Sequence, residues 1–371
     1  MGAEIQKLGM PKWGLSMTEG RVLEWLVDEG TELAVGDEVA EVETDKLGGA
    51  VESPVAGTLR RRVASVGELI PVGGLLGVVA DRDVTDADID AFVAEFQASF
   101  VPGETEQDAG PTPETVHVDA GTLRYLRQGD TGTPVVLLHG FGGDLNNWLF
   151  TTPALAEHHT AYALEPGHGG SSKHVGTGEL EFLLDAAHQF LDTLGLQRAH
   201  LVGHSLGGLV AASLALRDPD RALSLTLVAS AGLGEQINGD YLDRFITAAN
   251  RRELKPALEL LFADPNQVTR QLIDDVLKYK RIDGVDTALR AIADQIFPNG
   301  HQRILIADRL TQLEQPLLVL WGAQDRIIPA EHAHHAPATA DVHILQSSGH
   351  SPHMEAAGDF NRMLQRFLAG V

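Results

Sequence analysis

The spacing of apolar and polar positions changes along the chain. Over residues 1–80, short alternating runs lie between glycine turns, the pattern of β-strands with one buried face. The pattern is internally repeated. Gly20, Gly30 and Gly36 recur at the same spacing as Gly57, Gly67 and Gly73, and apolar positions follow the same offset. Val22 matches Leu59, Leu26 matches Val63, Leu33 matches Ile70, Val39 matches Leu76, and Val42 matches Val79. A duplicated β-unit predicts two halves related by a pseudo-two-fold, packed face to face as an all-β flattened barrel or sandwich. Residues 81–115 change character. An acidic stretch is followed by helical spacing from Ala91 to Phe100, and Thr85 with Asp88 fits a capping box. Residues 101–115, rich in Pro, Gly, Glu and Thr, hold too few apolar side chains to bury a core and read as an extended, self-repelling linker.

From residue 116 to the end at 371, strand and helix signals alternate. Val135-Val136-Leu137-Leu138 is a fully apolar run, as expected of a parallel strand buried on both faces. Ala199 to Val202, Leu225 to Val228 and Leu317 to Leu320 read the same way, while Leu180 to Leu194 and Leu206 to Arg217 have helical spacing. This predicts a doubly wound, mostly parallel α/β domain. Between about 236 and 310 only helical patterns occur, which predicts a helical cap over the strand ends.

Composition narrows the function. The chain has 371 residues and a net charge of −24, which argues against nucleic acid and against an anionic membrane surface. It has no cysteine, so a thiolate nucleophile, a disulfide framework and a Cys-ligated metal are excluded, and no metal site is expected. The first residues lack a secretory pattern, and no apolar run reaches the roughly 18 residues of a membrane span, so a cytoplasmic protein is expected.

Gly203-His204-Ser205-Leu206-Gly207 matches G-x-S-x-G, with an apolar β-run before it and an apolar helix after it. In that context the serine sits on a tight strand-to-helix turn with its Oγ pushed out above the sheet. The helix N-terminus offers the Leu206 N–H to a developing oxyanion. The base must be one of sixteen histidines. His350, in Ser348-Gly349-His350-Ser351-Pro352-His353, follows the strand-like Val342 to Leu345 and is the candidate; His353 is its rival. The acid is expected between nucleophile and base. Asp325 lies just past the Leu317 to Leu320 run, whereas Asp341 and Asp359 read as turn or solvated residues. Leu138-His139-Gly140-Phe141-Gly142-Gly143 resembles the oxyanion loop of α/β-hydrolases, and that resemblance makes the Phe141 N–H a second oxyanion donor. Leu164 to Ser172 also resembles a loop of that family. Glu165 stands there where Asp is commoner, and the loop reads as structural.

Glu43-Thr44-Asp45-Lys46 closes the first half of the repeat. It resembles the E-T-D-K motif of lipoyl domains in 2-oxoacid dehydrogenase complexes, as does Val51 to Gly57 downstream. By that resemblance Lys46 carries lipoate. A biotin carrier would show Met on both sides of the lysine, and here Asp45 and Leu47 stand there. Leu47-Gly48-Gly49 departs from the common pattern.

A tethered arm raises the effective concentration of its cargo at a second site to roughly millimolar. A Ser-His-Asp site performs acyl transfer through an acyl-enzyme, and an acyl-lipoyl thioester is a suitable substrate. A thiol acceptor such as coenzyme A conserves the thioester energy. The H-x-x-x-D-G motif of the usual acyltransferase domains is absent, and so is the usual peripheral-subunit-binding motif. The chain instead resembles the dihydrolipoamide acetyltransferase components of acetoin dehydrogenase systems, in which a lipoyl domain is fused to an α/β-hydrolase-fold domain. That resemblance implies acetyl transfer to coenzyme A, an E1 component dependent on thiamine diphosphate, a dihydrolipoamide dehydrogenase E3, and a homo-oligomer. Two alternatives stay open: an esterase, peptidase or C–C-bond hydrolase with an N-terminal docking module, and a carrier scaffold with an inactive hydrolase-like domain.

Overall fold

A computed structural model describes residues 5–13, 17–44, 48–102 and 111–371. The chain divides into two compact units, Met1–Thr112 and Pro113–Val371.

The N-terminal unit is built from eight short strands: β1 (Ile5–Gly9), β2 (Glu19–Trp25), β3 (Glu32–Leu33), β4 (Glu38–Glu43), β5 (Gly48–Glu52), β6 (Gly57–Arg62), β7 (Leu69–Pro71) and β8 (Leu75–Ala80). They form two four-stranded sheets, ordered β1-β8-β6-β3 and β5-β4-β2-β7. The repeat explains this order. β2, β3 and β4 correspond to β6, β7 and β8, and the short middle strand of each half crosses to the other half's sheet, so β3 pairs with β6 and β7 with β2. Four of the five apolar matches are core: Val22, Leu59, Val39, Leu76, Val42 and Val79 are fully buried, and Leu33 and Ile70 nearly so. The fifth is not, since Leu26 is 42% exposed. β4 and β5 are antiparallel with Glu43 opposite Gly48. Lys46 falls between them in sequence, outside the described residues.

A helix, α1 (Asp86–Ser99), completes this unit. It starts at the cap expected from the sequence, where the Thr85 side chain accepts a hydrogen bond from the Asp88 N–H and caps the first turn. Ile89 is fully buried in a cluster with Leu75, Val78 and Val84, and Phe92 and Phe96 pack against it. The proposed flexible linker lies largely in 103–110, outside the described residues.

The second unit holds an eight-stranded sheet ordered β16-β15-β14-β13-β11-β12-β10-β9. The strands are β9 (Glu114–Val118), β10 (Gly121–Gln128), β11 (Pro134–Leu138), β12 (Thr160–Leu164), β13 (Ala199–His204), β14 (Ala222–Val228), β15 (Leu317–Gly322) and β16 (Asp341–Leu345). β9 and β10 form an antiparallel hairpin at one edge, and the six strands from β11 onward are parallel. Helices Leu180–Thr193 and Leu206–Arg217 pack together on the sheet, as do Thr151–Ala156 and Ala357–Leu368. β11 to β15 are almost wholly buried, which is why their sequences are mostly apolar without strict alternation. Between β14 and β15 the chain makes helices Gly239–Thr247, Arg251–Leu258, Arg270–Lys280 and Val285–Ile296, the cap of this unit.

Candidate active site

The parallel strands end where ligands meet open α/β sheets, at their carboxyl edge. β13 runs directly into Ser205, β11 into the loop 139–143, β15 into the turn carrying Asp325, and β16 into the loop carrying His350. Four separate segments converge because their strands fall within one run of the sheet, β16-β15-β14-β13-β11.

Ser205 has φ 53° and ψ −117°, outside the regions an L-residue prefers. The flanking glycines make this turn possible. A Cβ on Gly203 would lie 2.2 Å from the Gly207 carbonyl oxygen, and one on Gly207 would lie 2.2 Å from that of Leu138. The turn is held by the Ser205 N–H donating to the Val228 carbonyl at 2.9 Å, and by the Ser205 carbonyl accepting from Ala231 N–H at 3.0 Å. Strain at the elbow is therefore over-determined by β14. Leu206 is the first helical residue, so its N–H has no intrahelical acceptor.

The loop after β11 presses against the elbow. A Cβ built on Gly140 would sit 3.0 Å from Ser205 Cβ. The Phe141 N–H makes no backbone hydrogen bond among the described residues. The Phe141 ring packs edge-on against Phe245 and Phe297 of the cap, at 6.1 and 6.4 Å. Gly142, at φ 72°, allows this approach, since any side chain there would collide with Phe245. Tyr241, Phe245, Phe262 and Phe297 are all buried, and Leu261 is half-buried.

Asp325 and His350 are joined. His350 Nδ1–H donates to Asp325 Oδ2 at 2.8 Å, and both side chains are buried. Asp325 Oδ2 also accepts from Trp321 Nε1–H at 3.0 Å, and Oδ1 accepts from the backbone N–H groups of Ile327 and Ile328 at 2.8 and 3.0 Å. Four donors converge on one carboxylate. They fix its orientation and hence that of the imidazole. Asp341 is exposed and pairs with His343, and Asp359 pairs with Arg362 at the surface.

His353 takes no such partner. It is fully buried, both ring nitrogens are without a hydrogen bond, and it stacks on Trp148 and His204 at 4.7 and 4.5 Å. Burial lowers its pKa to about 3. Desolvation likewise lowers His139 to about 4 and His168 to about 3, and holds His204 well below the usual value. The site is thus backed by neutral imidazoles.

Three residues with geometric roles, His204, Glu355 and Arg326, are not specified by any motif. His204 Nε2 lies 2.8 Å from the His350 carbonyl oxygen. Glu355 accepts from Gly349 and Ser351 N–H at 2.8 and 3.1 Å and from Ala263 N–H at 2.6 Å, clasping the His350 loop and the cap together. Arg326 adds a second clasp, donating to the Phe262 carbonyl at 2.5 Å and to that of Glu259. His350 N–H itself donates to the Leu261 carbonyl at 2.9 Å.

Glu165 is structural in a definite sense. It is fully buried at the end of β12, accepting from Arg124 and from Leu145 N–H, both at 3.2 Å, and from Gly170 N–H. Burial, with Asp144 nearby, raises its pKa to about 7.

Comparison with known proteins agrees with both units. Residues 133–357 match the model of the alpha/beta hydrolase fold, and residues 6–79 match a model described as biotin-requiring enzyme. The chain is 50% identical, over 99% of both sequences, to the dihydrolipoyllysine-residue acetyltransferase component of the acetoin cleaving system of Pseudomonas putida. It is 48% identical to the protein of the same description in Cupriavidus necator, over 97% of this chain and 96% of that one. A meta-cleavage product hydrolase from Pseudomonas fluorescens shares the fold, with a TM-score of 0.64 at 22% identity, over 69% of this chain and 97% of that one. With a lipoyl-type β-unit followed by an α/β-hydrolase unit along nearly its whole length, the chain belongs to the family of dihydrolipoyllysine-residue acetyltransferase components of acetoin cleaving systems.

Proposed function

We propose that the chain transfers an acetyl group from a lipoyl-lysine thioester to coenzyme A, through Ser205, His350 and Asp325, within a multienzyme complex that cleaves acetoin. The observation that carries this reading is the Asp325–His350 pair, tied through the His350 carbonyl to His204 next to a strained Ser205, with cap aromatic rings reaching Phe141. Lys46 would hold the lipoate, which supplies a dithiol arm able to present an acyl thioester. Its sequence position between the paired ends of β4 and β5 suits that role.

Ser205 Oγ attacks the thioester carbonyl while His350 takes its proton. The Phe141 and Leu206 N–H groups receive the oxyanion. Asp325 keeps the His350 Nδ1 protonated and stabilises the imidazolium. The C–S bond breaks, His350 returns the proton to the departing sulfur, and Ser205 holds the acetyl group as an ester. The coenzyme A thiol then gives its proton to His350 and attacks that ester; the bond between the acyl carbon and Ser205 Oγ breaks, His350 returns the proton to Oγ, and acetyl-CoA leaves. Transfer to a thiol in water requires a dry site, and Phe245, Phe262 and Phe297 supply the cover. An E1 component dependent on thiamine diphosphate would load the arm, and a dihydrolipoamide dehydrogenase would reoxidise it.

The test is the partitioning of acetyl-dihydrolipoamide between acetyl-CoA and acetate at saturating coenzyme A. Mostly acetyl-CoA supports the transferase; mostly acetate makes the protein a hydrolase, the activity of its structural neighbours. For the arm, Lys46→Arg should abolish turnover by the assembled complex while turnover of a free acyl ester persists. Intact mass should show an added roughly 188 Da that this variant lacks.

A further inference from the structure

A cleft lies on the cap, lined by residues outside the triad. It encloses about 610 Å³ beside helices Arg251–Leu258 and Arg270–Lys280. Arg251, Arg252, Lys278 and Arg281 line it, against one lining carboxylate, Asp274. Arg251 is committed to Asp274 at 2.7 Å, and Lys278 reaches Asp275 at 3.1 Å. Arg252 and Arg281 are exposed and form no salt bridge among the described residues.

This concentration is unusual for the chain. Residues 236–310 carry eleven Lys and Arg against eleven Asp and Glu, so the whole net charge of −24 resides outside the cap. The field of such a chain repels polyanions, and a local cationic cleft is where one would be concentrated. The cleft is also linked, through side-chain contacts, to the loop after β11. Lys280, between the lining residues Lys278 and Arg281, stands 5.5 Å from the Phe245 ring centroid and donates to the Ile246 carbonyl at 2.9 Å. Phe245 in turn meets Phe141 of the oxyanion loop.

We infer that this cleft binds the phosphate groups of the acyl acceptor, the adenosine bisphosphate end of a coenzyme-A-class thiol, and leaves its flexible arm to enter the site past Phe245. The inference rests on the thiol-transfer reading above. Arg252 and Arg281 meet the phosphates directly, because guanidinium forks match phosphate oxygens. Asp274 opposes them.

The test uses the full chain with free acetyl-dihydrolipoamide as donor and three acceptors: coenzyme A, dephospho-coenzyme A and pantetheine. KM should rise in that order. The double variant Arg252→Ala/Arg281→Ala should raise KM for coenzyme A roughly tenfold or more, with little change for pantetheine. Asp274→Asn should lower KM for coenzyme A, an opposite movement that a folding defect does not produce. Titration calorimetry with adenosine 3′,5′-bisphosphate should show binding that the double variant loses. Equal KM for coenzyme A and pantetheine in the unmodified chain overturns the inference, as does a double variant that raises KM for the acyl donor alone, which would make the cleft a donor surface. If no thiol accepts the acetyl group at all, the transferase reading fails, and the calorimetry still judges the cleft by itself.

Discussion

His204 Nε2 and the carbonyl oxygen of His350 lie 2.8 Å apart, joining the turn that carries Ser205 to the loop that carries His350. With the His350 carbonyl as acceptor, Nε2 of His204 must bear the proton. The ring is fully buried, its Nδ1 is without a partner, and desolvation keeps it neutral, so the donor persists across the working pH range. This bond sets the distance between two segments 146 residues apart in sequence.

His204→Leu should therefore act on the base rather than on binding. It leaves the His350 carbonyl buried and unpaired, a cost of about 1–3 kcal/mol. The expected outcome is a loss of about tenfold or more in kcat on a small acyl ester with KM little changed, and a displaced pH–rate profile. His204→Gln, which retains an N–H donor, should recover part of the rate. A pH profile that does not move would confine His204 to packing.

Asp325→Asn should cost on the order of 10⁴ in kcat with the fold retained. The two backbone donors from Ile327 and Ile328 would keep an amide oxygen on their side, turning its NH₂ toward Trp321 Nε1–H and His350. His350 would then lose its acceptor and adopt the other tautomer. Steady-state kinetics with a thermal-unfolding control decide this. A loss below about tenfold would shift the acid role to another carboxylate.

Acid should destabilise the catalytic unit. His139, His168, His204 and His353 have folded pKa values lowered by burial, so below about pH 6.5 the unfolded chain binds more protons than the folded one. Stability is present above the unfolded value near 6.5 and lost as pH falls toward 4 and 3. Glu165 has the opposite sign. Its pKa is raised to about 7, so its burial favours the folded state at low pH and costs stability as pH rises from 4.5 to 7. Four histidines outweigh it, and the net slope is toward acid lability. Unfolding midpoints from pH 4.5 to 8 should show a steep fall below pH 6, and His353→Leu should flatten it. A midpoint that rises on acidification would contradict this balance.

The cap should govern the fate of the acyl-enzyme. Arg326→Ala removes the donors to the Glu259 and Phe262 carbonyls and loosens the cap where it meets the His350 loop. Acylation of Ser205 should be largely kept, because the Phe141 and Leu206 donors are untouched. The ratio of acetate to acetyl-CoA should rise severalfold as water gains access. An unchanged ratio with a slower acylation step would mean that the cap positions the donor instead of excluding water.

The sequence by itself determined the elements and their order. Apolar-rich runs without strict alternation marked β11, β13, β14 and β15, because strands buried on both faces need no alternation. The repeated glycines and apolar positions marked the duplicated β-unit, since turn geometry and burial alternation are local properties. The elbow was legible for the same reason: glycine, serine and glycine at fixed spacing encode a backbone conformation. What the sequence left open was decided by packing between distant segments. It did not show that Leu26, although matched by the repeat, lies exposed, because a periodic pattern does not say which positions the second sheet covers. It kept His353 beside His350 as a rival base. Only the tertiary structure seats one ring on Asp325 and the other, unpartnered, on Trp148 and His204. Nor did it mark His204, Arg326 or Glu355, each of which bonds at least one partner far away along the chain, brought to it only by the fold. A hydrogen bond across such a distance has no local signature. It exists because the sheet order, and not the neighbouring residues, places donor beside acceptor.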